Sequence, residues 1–322
     1  MLIRFKRKDR NNRTKLQAFL KKNPSMARIS LSGPSAAVIE ELKEGSAAAL
    51  SPMLEAVFPG ASIHLSPEEL FPQALKSSFE LGKNFAVIAG PCAIESKKSY
   101  LETAAFLSGL GIKFVRAPLF KPRKSTYCFQ GLGEEGFAII AEARARYGIK
   151  PVTEILSSSL LPEAEKYCDI IQIGARNMRN YELIKAASMT GKPMIIKRAQ
   201  GAGIREWMMS AEYAAVRNKK IIFCERGEHD MFKEGGINFN LAGRAKKDFG
   251  ITVIADASHS SLGSDLVEKG VLSALIFGLD GAMIEIHKKP EAASVDGKHA
   301  ISFHQFEKLL RRISDMEKCL KK

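Results

Sequence analysis

From residue 85 onward the sequence alternates short apolar runs with longer amphipathic stretches, and it does so eight times. No other feature restricts the fold as strongly. Strands are predicted over 85–89, 113–116, 151–154, 170–173, 194–197, 221–224, 252–255 and 282–285, with helical periodicity over 99–110, 135–147, 181–189, 204–219 and 266–277. A last amphipathic helix over 303–319 follows the eighth strand. Eight such units in roughly 238 residues match the size of a (β/α)8 barrel, for which roughly 250 residues are typical. An open doubly wound sheet is the rival, but it rarely needs eight parallel strands, and no Gly-rich dinucleotide turn follows the first strand.

The first 80 residues follow another pattern. Apolar runs at 1–5, 27–31, 36–39 and 61–65 read as strands and 14–20 and 47–57 as helices, a small β-α-β-β-α-β unit. Residues 66–81 read as a connecting helix or linker, with Ser66 as its cap, Pro67 in its first turn and Glu68 and Glu69 at its positive end. The expected organisation is a small domain over 1–65, a linker over 66–81 and a barrel over 82–322.

Apolar residues make up 45% of the 322 and charged ones 26%, so the chain can bury a sizeable core and has no mark of disorder. Its longest apolar runs, such as 271–279, are about half of the roughly 20 residues a bilayer requires, so no membrane span is expected. The amino terminus lacks the apolar stretch of a secretory signal, and the five cysteines form no CxxC pair. A cytoplasmic setting with reduced thiols is therefore expected.

The formal net charge of +14 divides unevenly. Residues 1–22 hold nine Lys or Arg against Asp9 alone, and 305–322 hold six against three acids, which leaves +3 for the 282 residues between. The middle of the chain is thus not a uniformly basic surface. The terminal segment RFKRKDRNNR has one aromatic residue and no recognisable binding fold, so it reads as a solvated face and no nucleic acid is expected as a partner.

The informative residues are those that end each strand. AGPCAIES follows the first, RAPLFKPRKSTYCFQGLG the second, Glu154 ends the third, QIGARNM follows the fourth, IIKR ends the fifth, CERG follows the sixth, DASH the seventh, and IEIH ends the eighth. In a barrel these ends meet at one rim, where barrel enzymes carry their active sites. One constellation is Cys92, His259 and Glu285, with Asp296 in the following SVDG turn. A thiolate, an imidazole and two carboxylates can each ligate a divalent transition metal, and their softness admits zinc, iron, manganese or cobalt. Singly, such a cysteine is a buried filler and such a histidine is ordinary; the joint reading rests on four of them at strand ends of one barrel. The second constellation is cationic: Arg116, Lys121, Arg123, Lys124, Arg176, Lys197 and Arg226. Flanked by apolar residues, these charges suit a ligand with a carboxylate and one or more phosphates.

In this order and spacing, AGPCAIES, FKPRKS with FQGLGEEG, QIGARNM, IKR, CERG, SH and IEIH resemble the class I beta 3-deoxy-D-arabino-heptulosonate 7-phosphate (DAHP) synthases. These shikimate-pathway entry enzymes share a superfamily with the 3-deoxy-D-manno-octulosonate 8-phosphate synthases. The resemblance covers about residues 82–315, and the run from Lys121 to Gly136 is its most specific part. The octulosonate enzymes carry Lys-Ala-Asn-Arg-Ser where this chain has KPRKS, which favours the heptulosonate side. The resemblance implies a TIM barrel, here with a small N-terminal ferredoxin-like domain that binds an aromatic amino acid as inhibitor in some members. The first 65 residues resemble that domain in size and pattern only. A homo-oligomer, dimer or tetramer, is expected.

Carried over by position, the resemblance makes Cys92, His259, Glu285 and Asp296 the metal ligands. Arg116 and Lys121 would hold the phosphoenolpyruvate carboxylate, with Lys121 also near the reacting carbons, and Arg176, Lys197 and Arg226 its phosphate, aided by the backbone around Ala175. Arg123, Lys124 and Ser125 would bind the aldose phosphate, erythrose 4-phosphate in this family. The chain departs from the family at Lys124, at Ala117 and Pro118, at Glu228, His229 and Asp230, and in SSLGSD after DASH. These loops would meet the acceptor, so another aldose phosphate, such as arabinose 5-phosphate, is the runner-up. A non-catalytic barrel is the different-class alternative, and the intact ligand set argues against it. Trp207 and the Met208–Met209 pair read as packing, Cys128, Cys168, Cys224 and Cys319 as structural or incidental thiols, and His287, His299 and His304 as candidate supports behind the ligands.

Overall fold

The structure, a computed structural model, describes residues 2–4, 12–22, 27–33, 36–42, 62–64, 79, 81, 82, 84–123, 125–229, 235–260 and 263–321. The chain divides into two compact units, Met1–Phe71 and Pro72–Lys322. In the first, β1 (Leu2–Arg4), a helix over Asn12–Lys22, β2 (Ala27–Gly33), β3 (Ala36–Leu42) and β4 (Ser62–His64) follow one another. The strands form one antiparallel sheet in the order β2-β3-β1-β4. The predicted helix over 47–57 lies outside the described residues, as does the predicted connector apart from residues 79 and 81.

In the second unit eight parallel strands close on themselves. They are β5 (Ala86–Gly90), β6 (Phe114–Arg116), β7 (Lys150–Glu154), β8 (Ile170–Ile173), β9 (Met194–Lys197) and β10 (Ile221–Glu225). A short hairpin of β11 (Glu228–His229) and β12 (Gly235–Gly236) intervenes before β13 (Thr252–Asp256) and β14 (Gly281–His287). Each strand pairs with the next, β10 pairs with β13, and β14 pairs back onto β5 through Gly281↔Ala86 to Glu285↔Gly90, which completes the ring. β15 (Ile301–Ser302) adds to the end of β14.

The strands are continuous apolar runs because both faces are covered. Inward, Ile88, Val152, Ile170, Ile195, Ile222, Cys224, Ile254 and Met283 form one cluster, onto which Phe79 and Leu81 pack. Thr252 Oγ1 donates to the Phe79 carbonyl at 2.7 Å and ties that segment to the barrel. Outward, residues such as Val115, Ile171, Ile196, Phe223 and Val253 meet the helices in the main core. Burying each such side chain contributes about 1.5–3 kcal/mol.

The helices begin where capping chemistry allows. Ser96 caps Lys97–Gly109, Asn180 caps Tyr181–Ser188, Asn238 caps Phe239–Phe249, and Ser302 with Gln305 forms a reciprocal box on Phe303–Leu320. The helix predicted over 204–219 stops at Ala215, because the Asn218 side chain instead bonds the Lys192 carbonyl and the Lys220 amide. The helices Phe239–Phe249 and Leu161–Tyr167 add to the predicted set. Among the described residues no helix is long and apolar enough to cross a membrane.

Candidate active site

Strand alternation builds the site. The uppermost inward apolar residue of each strand is followed two positions on by one of another kind: Ile88 by Gly90, Phe114 by Arg116, Val152 by Glu154, Ile170 by Gln172, Ile195 by Lys197, Cys224 by Arg226, Ile254 by Asp256 and Met283 by Glu285. One pleat above the apolar layer, the interior changes from hydrocarbon to charge. Gly90 belongs to that layer for a steric reason, since a Cβ there would lie 2.7 Å from the Arg116 carbonyl oxygen and 2.8 Å from its Cβ.

A cavity of about 710 Å3 opens above this layer. Of the residues expected in a site, Cys92, Arg116, Lys121, Arg123, Ser125, Ala175, Arg176, Lys197, Arg226, His259 and Asp296 line it. Glu285 lies beneath, fully buried on β14, and Lys124 falls outside the described residues.

Donor atoms of Cys92, His259 and Glu285 lie within 4.8 Å of one another. Each comes from a different strand end. Cys92 follows β5, Glu285 belongs to β14, and His259 sits in the helical turn Ala257–Ser260 that continues β13. His259 Nε2 is 3.1 Å from Glu285 Oε1, and Nδ1 is 2.8 Å from Asp256 Oδ2. Asp256 Oδ1 also accepts the His259 amide at 3.1 Å. Asp296 Oδ2 is 3.5 Å from Cys92 Sγ, and Lys121 Nζ stands between them, 2.8 Å from the sulfur and 3.0 Å from the oxygen.

The cations around the site hold its carboxylates ionised despite burial. Burial would raise the Asp256 carboxyl, but His259 and Lys197 hold it well below the usual carboxylate range. Glu285 is lowered against burial by His259 and Arg116, and Asp296 against burial by Lys121 and Arg123. Burial and the nearby Glu285 charge push the Cys92 thiol up, against Lys121 and Arg116. Glu285 Oε2 is buried without a hydrogen-bond partner among the described residues, a position that costs about 1–3 kcal/mol or more unless something positive meets it. A thiol, an imidazole and two carboxylates with one oxygen left open fit a divalent transition metal.

The cations divide by depth. Arg116 is buried, its Nη2 2.8 Å from Glu285 Oε1 and its Nε 3.3 Å from the Pro91 carbonyl, while Nη1 is buried with no partner among the described residues. Lys197 is buried with its Nζ 2.5 Å from Asp256 Oδ2. Higher up, Arg123 Nη1 reaches Asp296 Oδ1 at 3.2 Å and Arg176 Nη1 reaches the Pro122 carbonyl at 3.3 Å. Arg198, next to Lys197, points away from the barrel interior and is locked by Glu225 and Glu228.

Sequence reading noted Glu154 and Asp256 at the rim without giving them a role, and it missed Gln172, Gln200, Lys298 and a cavity position for Cys128. Asp256 had a readable signal in the Asp-x-x-His spacing of DASH, which one helical turn converts into a contact. Gln172 had none: its Nε2 bonds Glu154 Oε2 at 2.8 Å across neighbouring strands.

Fold and rim together define a (β/α)8 barrel of the kind that binds anionic substrates beside a transition-metal donor set. The family model described as the DAHP synthetase I family matches residues 73–322, and the chain belongs to that family. A phospho-2-dehydro-3-deoxyheptonate aldolase of Thermotoga maritima is 40% identical over 239 residues, 73% of this chain and 71% of the relative. The crystal structure of a DAHP synthase from Thermotoga maritima aligns with a TM-score of 0.75 at 31% identity, covering 99% of this chain and 97% of that one. A 2-dehydro-3-deoxyphosphooctonate aldolase of Desulfatibacillum aliphaticivorans is 29% identical over 259 residues, 74% of this chain and 94% of the relative.

Proposed function

We infer that this chain is a 3-deoxy-7-phosphoheptulonate (DAHP) synthase, a carbon–carbon bond-forming transferase that joins phosphoenolpyruvate to erythrose 4-phosphate and releases phosphate. This is the first step of the shikimate pathway to chorismate and the aromatic amino acids. The observation that carries the reading is the convergence of Cys92, His259 and Glu285 within 4.8 Å at the foot of a cavity that Arg116, Lys121, Arg176, Lys197 and Arg226 also line or reach. Cys92, His259, Glu285 and Asp296 would hold the metal, whether manganese, iron, zinc or cobalt. Bound there, the metal would supply Lewis acidity toward the acceptor's aldehyde oxygen.

The chain's own residues do the rest. The unpaired Nη1 of Arg116 and the ammonium of Lys121 take the phosphoenolpyruvate carboxylate, and Lys197, Arg176 and Arg226 take its phosphate. Arg123 and Ser125, with Lys124, hold the aldose phosphate over it. C3 of phosphoenolpyruvate attacks the aldehyde carbon, water adds at C2, and phosphate leaves by C–O cleavage. Holding two anions side by side replaces a costly bimolecular encounter with a positioned one. Asp256 supports His259 from behind and pairs with Lys197.

The same reading divides the chain into 1–65, a linker over 66–81 and the barrel over 82–322. It takes the four-stranded sheet as part of a ferredoxin-like domain for an aromatic amino-acid inhibitor, supported by the β2-β3-β1-β4 order. A dimer or tetramer, and a cytoplasmic setting that keeps the Cys92 thiol reduced, complete it. Phosphate release from phosphoenolpyruvate is the test, with and without chelator and with erythrose 4-phosphate or arabinose 5-phosphate. Turnover only with arabinose 5-phosphate would favour the second reading, an octulosonate-type enzyme, which the similarity to the octonate aldolase supports.

A further inference from the structure

The turn that delivers Asp296 brings two more polar side chains to the cavity, Lys298 and His299, and neither has a role in the reaction so far. Its backbone is pinned. Val295 is buried with Cys92 and Ala93, and the Ser294 amide donates to Glu95 Oε1 at 2.7 Å. Asp296 sits in the left-handed region at φ 47°, alone among the described non-glycine residues in having a positive φ. At Gly297 a Cβ would lie 2.1 Å from the Pro290 carbonyl oxygen. The amides of His299 and Ala300 close the turn on the carbonyls of Asp296 and Gly297 at 2.9 and 3.1 Å. A backbone held this firmly presents its next two side chains in a fixed direction.

His299 Nδ1 is buried and has no hydrogen-bond partner among the described residues, which is unfavourable unless a ligand or water supplies one. An imidazole nitrogen can donate to or accept from a hydroxyl, so a hydroxyl suits this position. Lys298 is exposed at the same cavity wall, where an ammonium suits a phosphate. Through Asp296 the turn meets Arg123 at 3.2 Å and Lys121 at 3.0 Å, whereas Arg116 and Lys197 lie deeper among buried ion pairs. The turn therefore stands above the floor formed by Arg116 and Lys197, where Arg123 on the acceptor's side meets Lys121.

We propose that Lys298 and His299 complete the acceptor subsite, His299 hydrogen-bonding a hydroxyl of a short aldose phosphate and Lys298 meeting its phosphate. The proposal rests on the reading of this cavity as a phosphoenolpyruvate and aldose-phosphate site. Its test compares the metal-loaded full chain with Lys298→Ala, His299→Phe and His299→Asn. Phosphate release is followed at saturating phosphoenolpyruvate with erythrose 4-phosphate, arabinose 5-phosphate and unphosphorylated erythrose, and phosphoenolpyruvate affinity is measured by calorimetry.

His299→Phe keeps the ring and loses both nitrogens, so the acceptor KM should rise about 10-fold, and His299→Asn, whose amide stands near the Nδ1 position, should recover most of it. Lys298→Ala should raise the KM of the aldose phosphates about 5-fold and leave that of erythrose unchanged. Phosphoenolpyruvate affinity should stay at the wild-type value in all three. An unchanged acceptor KM in both His299→Phe and Lys298→Ala, or an equal loss of phosphoenolpyruvate affinity, would overturn the proposal. Wild-type enzyme that binds phosphoenolpyruvate yet turns over no aldose phosphate would overturn the underlying reading as well.

Discussion

Asp256 Oδ2 lies 2.8 Å from His259 Nδ1 and at the same time 2.5 Å from Lys197 Nζ. One fully buried oxygen thus orients a metal-type imidazole and balances a substrate-type ammonium. The Asp256 contact fixes the ring, whose Nε2 stands 3.1 Å from Glu285 Oε1.

Asp256→Asn should therefore act on two ligands at once. The amide cannot accept from both neighbours with the same charge, and metal affinity should fall about 10–100-fold. Titration of the metal-free protein with manganese, alongside an unchanged circular dichroism spectrum, measures it. Phosphoenolpyruvate binding should weaken too, because Lys197 loses its fixed counter-ion.

Arg116 and Glu285 pair at 2.8 Å with side-chain exposures of 5% and 0%. Arg116→Met leaves the carboxylate buried without its partner and should cost about 3–5 kcal/mol, seen as a lower urea midpoint at constant slope. Arg116→Lys keeps the charge but not the planar fork, so it should raise the KM of phosphoenolpyruvate with a smaller loss of stability.

Trp207, the single tryptophan, is fully buried, donates from Nε1 to the Ile196 carbonyl at 3.0 Å and meets Phe223 edge-on with centroids 5.0 Å apart. Its emission should be blue-shifted and shielded from acrylamide until the barrel unfolds. Trp207→Ala should cost about 3–5 kcal/mol by denaturant unfolding.

All five thiols are free, but they differ in reach. Cys128 and Cys319 are exposed, whereas Cys168 and Cys224 are buried and burial pushes the Cys168 thiol up to about 12. A thiol reagent at pH 8 should therefore modify Cys128 and Cys319 first and leave Cys168 and Cys224 for the denatured chain. Because Cys128 lines the cavity, phosphoenolpyruvate with an aldose phosphate should slow its labelling but not that of Cys319.

The barrel was legible because its strands are buried on both faces, and such strands must be written as runs like Met194–Lys197 or Ile221–Glu225. The position of the site was legible as well, since every parallel strand of a closed barrel ends at the same rim. Period-two alternation from Ile195 even separates Lys197, which faces the cavity, from Arg198, which turns outward to Glu225 and Glu228. Less was readable in the loops. Nothing in GKHA marks His299 Nδ1 as a buried atom without a partner, because that depends on how the Asp296 turn packs against Pro290 and Glu95.

The sequence by itself determined the eight strands, the rim they end at and the residue types gathered there, because alternation and strand ends are local properties of the chain. Only the tertiary structure decided which groups share an atom: Asp256 between His259 and Lys197, Arg116 against Glu285, Lys121 between Cys92 and Asp296. Cys92 and Asp296 stand 204 residues apart in the chain, and Cys92 after β5 comes beside Glu285 of β14 because β14 closes the ring on β5.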